Sequence, residues 1–76
     1  MNRRLFHGPA ARAIRTALGI PHGVLAVDAE ISPGYLTHIE KGAKQPSPAV
    51  IARIAQRLGV TVDEITYVVT ADSKAA

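Results

Sequence analysis

No cysteine occurs in the 76 residues, which excludes a disulfide framework and any thiolate-ligated metal. Long apolar runs are missing as well. After Arg3 and Arg4 the apolar stretch is only Leu5-Phe6, too short for the core of a signal peptide. Nothing approaches the roughly 18 apolar residues of a membrane span. The expectation is therefore a soluble cytoplasmic chain with no membrane partner. Acids are absent from two segments. Residues 1–20 carry Arg3, Arg4, Arg12 and Arg15, and residues 41–57 carry Lys41, Lys44, Arg53 and Arg57, with no Asp or Glu in either. The acids fall between and after these blocks, at Asp28, Glu30, Glu40, Asp63, Glu64 and Asp72. The net charge is +3 and the isoelectric point about 9.8. Two acid-free basic segments are suited to forming one positive face for phosphates. His7, His22 and His38 contain no i, i+4 pair, so no metal site is expected. His38 and Glu40 fall on different sides of a helix and no nucleophile accompanies them. No enzyme, cofactor or small-molecule ligand is expected.

What is present is a regular punctuation by glycine and proline. Gly8-Pro9 opens a helix, since proline suits the first helical position. Ala10, Ile14, Ala17 and Leu18 give it an apolar face at helical spacing, and Gly19 ends it. Pro21 begins a second, short helix whose apolar positions are Val24, Leu25, Val27 and Ala29, weakened by Gly23. Ser32 has the chemistry of an N-cap, with Pro33 at the first helical position. Leu36, Ile39 and the terminating Gly42 fit a third helix. Ser47-Pro48 repeats the start signal, and Ile51, Ile54, Ala55 and Leu58 form an apolar stripe with Arg53, Gln56 and Arg57 facing out. Gly59 ends that fourth helix. Thr61 caps a fifth, short one, with Asp63 and Glu64 in its first turn and Val62 and Ile65 inward. Residues 67–70 are either a strand or a helix extension, and 71–76 are expected to be unstructured. One small domain with a thin core is implied.

Ala26, five residues before Ile31 and ahead of the Ser32 cap, allows two helices to cross closely, as in a helix-turn-helix. At this point the sequence resembles a known family. "GIPHGVLAVDAEISPGYLTHIEKG" followed by "QPSPAVIARIAQRLGVTVDEI" is similar to the phage repressor and Cro type of helix-turn-helix, also called Xre-like. The resemblance runs from about Ala11 to Ile65. It implies an all-α, five-helix domain over residues 9–66, with an N-terminal arm at 1–8 and a C-terminal segment at 67–76, in which 67–70 are a dimerisation strand or a helix extension and the rest a tail.

The resemblance also implies roles. Arg15 and Glu40 fall on a structural, buried ion pair. The base-reading positions fall on Pro33, Gly34, Thr37 and His38, in a recognition helix of about residues 33–41. Backbone contacts fall on His22, Lys41 and Lys44, with Ser32 and Tyr35 at the same edge. Pro33 and Gly34 cannot donate to a base edge, so direct readout rests on Thr37 and His38. Glu30 stands where the family often has glycine, and Pro21 where it has a hydroxyl cap. Both departures imply a slightly altered turn. Arg3 and Arg4 are either a minor-groove arm or solvated. Leu5 and Phe6 cover the open end of this domain's core or a twin's. The implied partner is double-stranded DNA, bound sequence-specifically by a homodimer that represses transcription. The dimer surface is sought at Tyr67, Val68 and Val69, then at Leu5 and Phe6. An antitoxin, or an adaptor that has lost DNA reading, stands as the alternative.

Overall fold

A computed structural model describes residues 2–70; the expectation for residues 71–76 lies outside them. The element order is strand β1 (Asn2–Phe6), helices α1 (Gly8–Ala17), α2 (His22–Asp28), α3 (Pro33–Glu40) and α4 (Pro48–Leu58), a 3₁₀ turn (Val62–Ile65) and strand β2 (Thr66–Thr70).

The helix starts follow from local chemistry. The Ser32 hydroxyl oxygen accepts from the Tyr35 N–H at 3.1 Å, and Ser47 does the same for Val50 at 3.3 Å, each with proline next. α2 starts at Pro21 with no side-chain cap. α4 ends at Gly59, whose φ of 73° is the left-handed conformation glycine adopts without strain.

Two expectations about architecture are corrected. Among the described residues there are four α-helices; the fifth is a four-residue 3₁₀ turn. The β-branched and aromatic run Thr66-Tyr67-Val68-Val69-Thr70 follows at once, favours extended backbone, and leaves no room for a longer helix. The residues read as an arm are instead β1. They pair antiparallel with β2 from Asn2↔Thr70 to Phe6↔Thr66. The fold is thus mostly helical with a two-stranded sheet, not all-α. The sequence Asn2–Phe6 has no strand pattern of its own, because its partner lies some 60 residues away in the chain.

The core gathers Phe6, Ala11, Ile20, Leu25, Leu36, Ile39, Ile51, Ile54, Leu58 and Ile65 with three further alanines and Val50. Helical spacing located most of it, with four errors, the simplest at Val62, which is expected inward beside Ile65 and is exposed. On α1 the inward face carries Gly8 and Ala11, while Leu18 is exposed. On α2 Leu25, Ala26 and Ala29 are buried, whereas Val24 and Val27 are exposed, Val27 at 74 %. On α4 Arg53 is half-buried, and its Nε donates to the Ala29 carbonyl at 2.8 Å. Its cation therefore closes the C-terminal end of α2 rather than facing solvent.

Gly8 explains the error on α1. A Cβ there would overlap the Ile39 carbonyl oxygen and stand 2.6 Å from that of Glu40. Helix α1 therefore meets the C-terminal end of α3 backbone to side-chain-free backbone. That contact rotates α1 so that Gly8 and Ala11 face inward. The molecule measures 41 × 21 × 19 Å along its principal axes.

Candidate nucleic-acid interface

Helices α2 and α3 form the helix-turn-helix. Ala26 and Ala29 are fully buried between them, and the Ile31 N–H returns to the Ala26 carbonyl at 3.0 Å. Glu30 makes the turn at φ 61°. That is left-handed backbone, which costs a side-chain-bearing residue about 1–2 kcal/mol.

Arg15 fixes α3 from behind. Its Nε donates to Glu40 Oε2 at 2.9 Å, Nη2 to Glu40 Oε1 at 3.4 Å, and Nη1 to the Ile20 carbonyl at 3.0 Å. The two side chains are 12 % and 5 % exposed. One guanidinium thus ties together α1, the connection to α2, and the last turn of α3. The fork-on-carboxylate geometry satisfies the buried charges. Glu40 is also the only acid on α3, so its burial leaves the outer side of that helix without a negative charge.

On that outer side Pro33, Gly34 and His38 are exposed. Space for a Cβ is open at Gly34. Thr37 is half-buried. Its hydroxyl donates to the Pro33 carbonyl at 3.1 Å and lies 3.1 Å from His22 Nε2. The hydroxyl proton is committed within the chain, so the Thr37 methyl and the His38 ring are the groups left to meet a ligand. Ser32 is engaged as a cap. Tyr35 packs on the core, and its hydroxyl donates to the Gln45 carbonyl at 3.4 Å. Lys41 and Lys44 are exposed just beyond α3.

A groove runs between α1 and α3, lined among others by Arg12, Thr16, His22, Thr37 and Lys41. Arg12, which the sequence reading does not place beside α3, lines this groove. The signal for it was its place one helical turn before Arg15, on the same acid-free helix. Among the described residues Glu30 stands exposed in the turn ahead of α3, and three further acids are engaged away from this side. Asp28 accepts from Arg57, Asp63 pairs with Arg4 at 2.9 Å, and Glu64 accepts from the Thr61 N–H at 2.8 Å. Arg4 also donates to Thr66 Oγ1 at 2.8 Å, so it braces the sheet to the 3₁₀ turn. Phe6 is buried in this chain's own core, Leu5 is half-buried, and Tyr67 and Val68 are exposed. Among the described residues no group of His, Asp and Glu is arranged to hold a metal, and no helix is long and apolar enough to cross a membrane.

A family model described as a helix-turn-helix domain matches residues 8–67. The chain belongs to the helix-turn-helix domain family. Solved structures agree. A crystal structure of the clp gene regulator ClgR from Corynebacterium glutamicum superposes with a TM-score of 0.70 at 36% identity, covering 72% of this chain and 58% of that one. A second ClgR structure gives 0.69 at 36% identity, covering 72% and 70%. The restriction-modification controller protein C.AhdI from Aeromonas hydrophila gives 0.72 at 28% identity, covering 76% and 88%. No curated protein sequence matches the chain. This helix-turn-helix domain therefore spans little more than half of one ClgR chain and most of C.AhdI.

Proposed function

We propose that the chain is a sequence-specific double-stranded DNA-binding transcription regulator that represses by occupying its operator, with α3 in the major groove. The observation that carries this reading is the outer side of α3. It is clear of acids, ends in Lys41 and Lys44, and is held from behind by the Arg15–Glu40 pair. The regulatory roles named for ClgR and C.AhdI support it. Pro33 and Gly34 let the backbone approach the bases. His38 reads a guanine edge and the Thr37 methyl a thymine. His22, Lys41, Lys44, Arg12 and the Ser32 edge hold phosphates, which fix position rather than sequence.

One α3 reads only a few base pairs, so operator selection calls for two copies on half-sites about one turn apart. The sheet supplies a means. In the antiparallel register Leu5↔Tyr67 and Arg3↔Val69, with the Phe6 N–H donating outward to Gln45 Oε1 at 2.8 Å, alternation turns the Val68 N–H and C=O away from β1. The outer edge of β1 carries Arg3 and Arg4, whereas β2, Thr-Tyr-Val-Val-Thr, has no charge and no proline. An isolated two-stranded ribbon is marginal, and an unguarded edge invites pairing. Two β2 strands meeting antiparallel about Val68 make a four-stranded sheet and a two-fold dimer.

Titration of labelled duplexes at several salt concentrations tests the DNA reading. Affinity should fall steeply with salt, and Lys41→Ala should reduce the slope by about one. A chain that ignores every duplex in dilute buffer would refute it.

A further inference from the structure

The Thr37 hydroxyl has one proton. Given to the Pro33 carbonyl, as its 3.1 Å contact has it, that proton is unavailable to His22, whose Nε2 lies 3.1 Å from the same oxygen. The oxygen then accepts from His22 Nε2–H. A neutral imidazole with its proton on Nε2 has a bare lone pair on Nδ1. Such a ring cannot donate to a phosphate.

We propose that duplex binding takes up one proton per subunit at His22, which meets a backbone phosphate as an imidazolium with Nε2–H held by Thr37 and Nδ1–H given to the phosphate oxygen. This rests on the DNA-binding reading above and goes beyond it. The charged groups facing His22 across the groove are Arg12 and Arg15 from α1 and Glu40 and Lys41 from α3. Arg15 and Glu40 neutralise each other. Arg12 and Lys41 remain beside the ring. A phosphate seated between them brings a negative charge to the imidazole, which favours the imidazolium and strengthens the bond it donates. On α2 itself the one further charged group, Asp28, is engaged by Arg57 at the far end. The proton comes from solvent, and no bond to carbon or phosphorus is made or broken. The sign follows. Binding that takes up a proton strengthens as pH falls, and the gain is lost as pH rises through the bound imidazolium's range.

The competing arrangement turns the Thr37 hydroxyl proton to His22 Nε2 and places the ring proton on Nδ1. It gives the same phosphate contact with no uptake, and so no pH dependence from this residue.

The test is the dissociation constant of a labelled duplex at fixed salt from about pH 5.5 to about pH 8.5, bracketing the ~6.5 of an ordinary imidazole. Affinity should rise as pH falls, by up to about tenfold per unit for each engaged subunit. His22→Gln, whose amide donates without titrating, should flatten the profile. Thr37→Val should flatten it too, because without the hydroxyl the neutral ring is free to carry its proton on Nδ1. His7→Asn, at a histidine outside the interface whose side chain caps α1 by accepting from the Ala10 N–H, should keep the slope. Calorimetric titration of the unaltered chain in two buffers of different ionisation enthalpy should count the same proton. Duplex binding that is independent of pH, or a slope that survives His22→Gln, would overturn the proposal. An absence of duplex binding at every pH would instead refute the DNA reading itself.

Discussion

Arg15 and Glu40 are two charges almost out of water, and each is tolerable only because of the other. Removing one leaves the other buried and unpaired, which costs about 3–5 kcal/mol. Arg15→Ala should therefore lower the urea midpoint sharply, while replacing both residues by apolar ones of similar volume should cost much less than the sum of the single changes. A double-mutant cycle on unfolding free energy reads this directly. Gly8 matters for a different reason. A Cβ there meets backbone carbonyl oxygens at the end of α3, and backbone cannot swing aside as a side chain can. Gly8→Ala should cost about 1–3 kcal/mol, and the displacement of α3 should weaken duplex binding as well. Glu30 runs the other way. Its left-handed φ of 61° makes Glu30→Gly a stabilising change of about 1 kcal/mol, visible as a higher Tm. The strain at Glu30 is legible in sequence only through the family resemblance, which places glycine at that turn position. The burial of Gly8 is not, because a glycine before a proline reads as a breaker, and only the approach of a distant helix gives it another meaning.

At the scale of elements, the helices depend on their starts. Ser32 and Ser47 each satisfy a backbone N–H that would otherwise lack a partner. Ser47→Ala should cost about 1 kcal/mol in thermal or chemical unfolding. Helices α3 and α4 are legible because cap, proline, apolar spacing and closing glycine all agree for each. Helices α1 and α2 are located but turned. Ala10, Ala17 and Leu18 on α1, and Val24 and Val27 on α2, have the spacing of a buried face. In the fold, close crossings at Gly8, Ala11, Ala26 and Ala29 decide which side is inward. Small residues carry little hydropathy, so a reading by hydropathy gives the larger side chains too much weight. Arg53 shows the same limit for charge. A cation on an amphipathic helix reads as solvated, and its bond to the Ala29 carbonyl exists only because α4 packs across the end of α2. The strand β1 is beyond local reading altogether, since Asn2–Phe6 becomes extended by pairing with residues at the opposite end of the chain.

The whole molecule joins a helical body to a two-stranded ribbon, and the two parts divide the proposed work. The body presents α3 and the cationic groove beside it; the ribbon offers the uncharged β2 edge to a second copy. If the dimer forms there, Val68→Lys should leave the body folded, by circular dichroism, and shift the sedimentation coefficient to that of a monomer. A dimer that survives this change is held elsewhere. The central claim is that α3 reads base sequence through His38 and Thr37 while lysines only hold the backbone. Selection of bound duplexes from a random pool tests it most directly, run in parallel on the unaltered chain, His38→Ala and Lys41→Ala. The account predicts one enriched motif for the unaltered chain, a changed or relaxed motif for His38→Ala, and the same motif at lower yield for Lys41→Ala. A motif unmoved by His38→Ala but altered by Lys41→Ala, or no enrichment from any pool, would contradict it.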